Sequence, residues 1–325
     1  MRTKDNVLMI LEERRGQAVS GADMARKLDI SRNAVWKAVN TLKKDGYRIE
    51  SATKVGYRLC KDNDILSIGG ILPFLSGANH DVRVYEKVES TNILAKEILA
   101  AELGAKCGAL HGTVVVANEQ TAGRGRHGRM FFSPPGHGIY MSLILSPDKL
   151  GFDTPTVVTA YTAVVVSEAI QALCGKSPHI KWVNDLFLRQ KKCCGISAEA
   201  ETDLTTGTIQ WLVVGIGINF TETDLPEALR AIAGAVYKDE EPSVTRSRLA
   251  AEIINRLLGP AGKQADIIER YRQRLFILGK KVRVEGVPEP YEATALDVDE
   301  AGRLLVRNKA GEIVTLFAGE ISIRF

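Results

Sequence analysis

Positive charge in this chain is confined to one end. Residues 1–61 carry 14 Lys and Arg against 7 Asp and Glu, whereas residues 62–325 carry 29 against 32. A chain of 325 residues exceeds what one compact core usually organises, and such a split points to separate domains. Two or three are expected, of which only the first is built to meet a polyanion.

The other totals mainly exclude. Apolar residues at 45% and charged residues at 25% argue against large-scale disorder. No apolar run is read as long enough to span a bilayer, and the N-terminus lacks a signal-peptide stretch, so a cytoplasmic protein without membrane contact is expected. Five cysteines (60, 107, 174, 193 and 194) form no CxxC pair, as expected of reduced thiols rather than disulfides or a zinc site. The five histidines show no metal-ligand spacing, and no metal ligand is assigned.

Residues 1–61 read as a winged helix-turn-helix. Val7, Leu8, Ile10 and Leu11 stripe a first helix; Ser20 caps a second, with Met24, Ala25 and Leu28 inward. Ser31 caps a third that runs to about Lys44. Its Val35, Ala38, Val39 and Leu42 share one face, and Arg32, Asn33, Lys37 and Asn40 the other. Arg and Asn read base edges and Lys holds phosphate, so Ser31, Arg32, Asn33, Trp36, Lys37 and Asn40 are the candidate DNA contacts. Trp36 either reaches DNA or completes the core. Two short runs, 47–50 and 56–59, read as the wing. A module used only for protein contacts is the competing interpretation.

Residues 62–67 read as a linker and 68–274 as an α+β body with a mixed sheet. Strand signals fall at 113–117, 138–145, 180–183, 195–199 and 211–218, with a helix from Thr154-Pro155 to Gly175. Residues 275–325 read as short strands resembling an SH3-like barrel. The segment Gln120-Thr121-Ala122-Gly123-Arg124-Gly125-Arg126-His127-Gly128-Arg129 is too glycine-rich for a helix. Its glycines expose N–H donors and its arginines suit carboxylate and phosphate oxygens. It is neither a P-loop nor a Rossmann loop. Lys181-Trp182-Val183-Asn184-Asp185 places two polar groups at the end of an apolar strand, or marks an ordinary turn. Gly215-Ile216-Gly217-Ile218-Asn219 has glycines where a strand tolerates them only for a close approach.

With Ser90-Thr91-Asn92, Lys192 and Gly195-Ile196, these segments occur in the order seen in biotin–protein ligases. The chain resembles the bifunctional form, which is also the biotin operon repressor, over almost its whole length, including Ala318-Gly319-Glu320-Ile321-Ser322-Ile323-Arg324. The resemblance implies a central domain like class II aminoacyl-tRNA synthetases. It implies biotin contacts at Ser90, Thr91, Asn92, Gln120, Arg124, Gly125, Arg126 and Lys192, with Lys192 and Arg126 catalytic. It places Arg129, Phe131, Lys181, Asn184, Asp185 and Asn219 at ATP or the adenylate, Phe131 standing where many relatives carry tryptophan; Arg324 is a further candidate there. Val183, Cys193-Cys194 and Ser197-Ala198 depart from the usual pattern while leaving the polar set intact.

The implied reaction has two steps: biotin and ATP with Mg2+ give biotinyl-5′-AMP, and a lysine of a biotin carboxyl carrier protein takes the acyl group. Biotinyl-AMP is also the implied corepressor, favouring a homodimer on operator DNA. The competing possibilities are a sensor without catalysis, a lipoate ligase, and a ligase whose head no longer binds an operator.

Overall fold

The computed structural model describes every residue except 1, 53–54, 78–80, 103–109, 126–127, 204, 318–319 and 323–325, and only the backbone of 320–322. The chain forms two compact units. The first comprises Met1–Asn79 with Val244–Asn255, and the second His80–Ser243 with Arg256–Phe325. Contacts therefore do not divide the chain at 62–67, and residues 275–325 group with the body. Residues 62–79 and a segment from far along the chain join the head, which no local composition signals.

In the first unit α1 (Thr3–Glu13), β1 (Ala18–Val19), α2 (Gly21–Leu28), α3 (Arg32–Lys44), β2 (Ile49–Ala52), β3 (Gly56–Leu59) and α4 (Ile68–Ile71) follow in order. The side chains of Ser20 and Ser31 accept from Ala22 N and Ala34 N, supplying the caps expected of them. Val35, Ala38, Val39 and Leu42 are buried with Val7, Leu8, Leu11, Met24 and Leu59 in one core. The wing is an antiparallel sheet in the order β1-β3-β2. Its two-residue first strand was not foreseen, and β2 starts at Ile49, the Tyr47 N–H donating instead to Leu42 O at the end of α3. Trp36 is 53% exposed, which removes it from the core.

Arg246 secures the added segment. Its side chain is 2% exposed; its backbone N–H donates to Asp64 Oδ1 at 3.0 Å, its Nε stands 3.2 Å from Oδ2, and its Nη2 donates to Asp64 O at 2.7 Å. A buried cation stripped of its partner is costly.

The second unit contains β4 (Val82–Val88), α5 (Thr91–Glu102), β5 (Thr113–Gln120), β6 (Gly138–Leu145), α6 (Pro147–Leu150), α7 (Pro155–Cys174), β7 (His179–Lys181), β8 (Asp185–Leu188), β9 (Lys191–Thr202), β10 (Ile209–Asn219) and α8 (Glu227–Arg230). After α9 (Arg246–Leu258) come α10 (Gln264–Arg274) and the strands β11 (Lys281–Glu285), β12 (Tyr291–Val298), β13 (Leu304–Asn308), β14 (Ile313–Leu316) and β15 (Glu320–Ser322). The main sheet runs β4-β5-β6-β10-β9-β8-β7, with only β4 and β5 parallel, so it is mixed as expected. The last five strands form a separate antiparallel sheet.

α7 corrects one expectation. Its 20 residues are long and apolar enough to cross a membrane, although no such run was read from the sequence. Most of the helix is buried inside the fold, which explains an apolar composition on all sides. Gly175 ends it in the left-handed region at φ 65°. Cys174, Cys193 and Cys194 are buried free thiols, Cys60 is half-buried, and Cys107 lies outside the described residues.

Replacing Asp64 by Ala should lower the stability of the first unit by about 2–3 kcal/mol. Hydrogen exchange of the α1 and α3 amides in the full chain measures this. Unchanged protection would contradict the structural weight given to the Arg246–Asp64 pair.

Candidate active site

Three glycines leave part of the main sheet without side chains. In register across β6, β10 and β9, Ser142 faces Gly215 and Gly215 faces Ser197; in the row beside it Tyr140 faces Gly217 and Gly217 faces Gly195. A Cβ on Gly215 would lie 2.2 Å from Asn92 Oδ1, and one on Gly217 2.6 Å from the Phe131 ring. The first row therefore admits the Asn92 amide and the second admits the Phe131 ring, which also meets Tyr140 edge-on. This is the close approach that justifies glycine inside a strand.

The start of α5 brings Ser90, Thr91 and Asn92 onto this surface. Thr91 N–H, one of the unpaired donors of a helix start, donates to Gln120 Oε1 at 2.9 Å. Gln120 Nε2 then donates to Ser133 Oγ at 2.8 Å, and Ser133 Oγ donates to Phe131 O at 2.9 Å. Asn92 Nδ2 donates to Ser197 Oγ at 3.0 Å and to Glu199 Oε1 at 2.7 Å, and its Oδ1 accepts from Ser142 Oγ at 2.6 Å. Asn92, expected to meet a ligand, thus has both amide protons taken by the protein.

On either side of residues 126–127, the backbone of 123–125 pairs with that of 129–131. Phe131 N donates to Gly123 O at 2.8 Å and Gly125 N to Arg129 O at 2.7 Å. A Cβ at Gly123 would meet Phe131 O at 2.5 Å, so this pairing requires glycine there. Arg124 pairs with Glu89 at 3.7 Å on the exposed surface, a contact worth little and easily exchanged for a ligand anion. Arg126 and His127 lie outside the described residues, as does Arg324.

Ser90, Thr91, Asn92, Gln120, Arg124, Gly125, Phe131, Asn184 and Lys192 line one cleft with Gly195, Gly215 and Gly217. Arg129, Lys181, Asp185 and Asn219 do not line it. Asp185 supports Lys192: its Oδ1 is 2.7 Å from Nζ, an ion pair without the angle of a hydrogen bond, and that buried oxygen has no hydrogen-bond partner among the described residues. Asn219 Nδ2 donates to Gly234 O at 2.9 Å, and Asn184 Nδ2 to Ile196 O at 2.9 Å. Asn184 braces backbone in the cleft wall, and Asn219 braces backbone beside it. Trp182, Val183 and Asn184 form the turn between β7 and β8, so the strand expected to reach Val183 ends at Lys181.

Ser142, Ser133, Glu199 and Lys96 escaped assignment by sequence. Ser142 had one visible signal, a hydroxyl within the otherwise apolar Gly138–Leu145 strand. Burial pushes the Glu199 carboxyl up, but the Lys96 ammonium and the Asn92 amide outweigh it and hold it below its ordinary value. Lys96 Nζ lies 2.5 Å from Glu199 Oε2.

Family models match three stretches of the chain: the HTH domain at residues 3–58, the Biotin/lipoate A/B protein ligase family at 100–219, and the Biotin protein ligase C terminal domain at 277–324. The bifunctional ligase/repressor BirA of Bacillus spizizenii is 30% identical over 98% of both chains. The protein of that name from Escherichia coli is 27% identical over 95% of this chain and 94% of its own. Among solved structures, the biotin protein ligase of Aquifex aeolicus in complex with biotin and ATP is 25% identical with a TM-score of 0.61, covering 75% of this chain and 98% of that one.

A depressed carboxylate gives a signed pH dependence. The contribution of Glu199 to stability is complete above its unfolded value near 4.5 and is lost as pH falls through the lower folded value. Wild-type stability should therefore fall more steeply below about pH 4.5 than that of Glu199→Gln. Parallel denaturation curves through that range would show that the carboxylate is not held ionised.

Proposed function

The chain belongs to the bifunctional biotin ligase/repressor family, and we propose from that membership that its cleft makes biotinyl-5′-AMP from biotin and ATP, with release of pyrophosphate. The biotinyl group then passes to a lysine of a biotin carboxyl carrier protein and AMP leaves. The observation that carries this reading is the meeting, in one cleft, of the Thr91 and Gln120 hydrogen-bonding groups, the Lys192 ammonium and the Phe131 ring seated on Gly195 and Gly217.

A buried ureido ring needs both donors and acceptors, which Ser90, Thr91 and Gln120 offer. Lys192 orients the biotin carboxylate toward the α-phosphate and stabilises the charge that builds on phosphorus. Arg124, Gly125 and Arg126 fold over the acyl-phosphate, with Arg126 sharing the catalytic charge neutralisation and Arg129 balancing phosphate. Phe131 supplies an aromatic face for adenine, and Lys181, Asn184, Asp185 and Asn219 form the nucleotide side. Adenylation itself activates the carbonyl, so no side-chain nucleophile is required. The protein aligns the reactants and keeps water from a mixed anhydride.

Asp185, whose Oδ1 is 2.7 Å from Lys192 Nζ, offers hard carboxylate oxygens of the kind magnesium takes. Asp185 would hold the ion together with phosphate oxygens, and the ion would supply charge neutralisation on the triphosphate.

The head, with Ser31, Arg32, Asn33, Trp36 and Lys37 exposed on or beside α3 and Asn40 half-buried, binds operator DNA. Biotinyl-AMP acts as corepressor by favouring a homodimer that presents two heads to a palindrome.

Incubation with ATP, labelled biotin and a carrier domain should place label on a carrier lysine; an unlabelled carrier would remove the ligase reading. Lys192→Ala should retain cooperative unfolding while slowing biotin-dependent pyrophosphate release by roughly 10²–10³-fold. Release at the normal rate would refute the role given to Lys192. Footprinting should show protection that requires both biotin and ATP, and protection indifferent to them would exclude biotinyl-AMP as the corepressor.

A further inference from the structure

We infer that Lys96, Glu199, Asn92 and Ser142 form a positioning relay that fixes the Thr91 hydroxyl as a hydrogen-bond acceptor, so that Thr91 and Gln120 together receive one N–H of the bound ligand. This inference rests on the biotin reading of the cleft and extends it to residues that do not touch the ligand.

Counting protons along the chain of contacts gives the direction. Glu199, beside the Lys96 ammonium at 2.5 Å, is a carboxylate and only accepts. Asn92 must therefore turn its Nδ2 to Glu199, at 2.7 Å, and its Oδ1 to Ser142 Oγ, at 2.6 Å. An amide oxygen cannot donate, so the single Ser142 proton lies in that contact. Ser142 Oγ is also 2.7 Å from Thr91 Oγ1, and the proton between them must come from Thr91. Thr91 then has none left for Gln120 Oε1, 3.2 Å away, which already accepts the Thr91 backbone N–H.

Two acceptors thus stand side by side on the cleft wall with no proton between them. The opposite direction would leave two bare acceptors only 2.6 Å apart at Ser142 and Asn92, the more repulsive arrangement. Ser142 is fully buried in an apolar strand, where a hydroxyl stabilises nothing unless its partners are fixed. Gly215 makes the relay possible, since a Cβ there would lie 2.2 Å from Asn92 Oδ1.

The test compares biotin with the two cyclic carbamates in which one or the other ureido N–H is replaced by a ring oxygen. Binding to the full chain is measured by calorimetry. Wild type should bind one carbamate at least about tenfold more weakly than biotin, because acceptor then faces acceptor. Ser142→Ala frees the Thr91 hydroxyl to donate, and the ratio should shrink to within about threefold. Glu199→Gln keeps the shape but turns its carbonyl to Lys96 and its NH2 to Asn92, which must flip. Each bond in the relay then reverses and the ratio should collapse as well.

A merely structural role would weaken biotin and carbamate alike and leave the ratio unchanged, and an unchanged ratio in the variants overturns the relay. Equal wild-type affinity for biotin and both carbamates overturns it too. A wild-type chain that binds no biotin overturns the reading of the cleft, and the relay with it.

Discussion

The main sheet can hold a ligand because a patch of it has no side chains. Gly215 and Gly217 on β10, with Gly195 beside them on β9, let the Asn92 amide and the Phe131 ring lie directly on strand backbone. Side chains at these points would lift both groups away from the surface. The start of α5, Arg124, Gly125 and Phe131, and the Lys192 side chain all converge over this patch. Its rigidity comes from the strands on either side, since β6 and β9 flank β10 along most of its length.

What converges there is a set of charges and oriented hydrogen bonds rather than a nucleophile. Cys193 and Cys194 lie next to Lys192, yet burial pushes the Cys193 thiol up to about 12 and raises Cys194 as well. Both behave as small apolar core residues, because a thiol so reluctant to ionise is a poor nucleophile. A reaction in which ATP activates the carboxylate needs no such group. It needs phosphate charge balanced, the two substrates aligned, and water kept from the product. The glycine–arginine segment suits that work, being able to follow a ligand closely while presenting cations.

Much of this was legible where a local rule acts alone. The period of Val35, Ala38, Val39 and Leu42, the Ser20 and Ser31 caps, and Thr154-Pro155 to Gly175 each depend on neighbours in sequence, and each emerged as read. The strand glycines were weak signs singly and became specific only in company with the arginine loop and Lys192. What stayed hidden depends on distant partners. β1 exists because it pairs with β3, and residues 244–255 join the head through Arg246 and Asp64, far apart in sequence. Ser142 reads as one polar residue in a strand until the register sets it beside Gly215 and under Asn92. α7 was read as a helix but not as one mostly buried, which only its surroundings reveal.

The most direct test of the central claim is a crystal structure of the full chain with a non-hydrolysable biotinyl-adenylate analogue. The fused ring should lie over β10 beside the Asn92 amide and the Phe131 ring, with Thr91 and Gln120 in hydrogen-bond reach. Lys192 Nζ should stand about 3 Å from the acyl-phosphate mimic, with residues 123–129 folded across it. A vitamin bound away from Gly215 and Gly217, with that segment turned outward, would contradict the account.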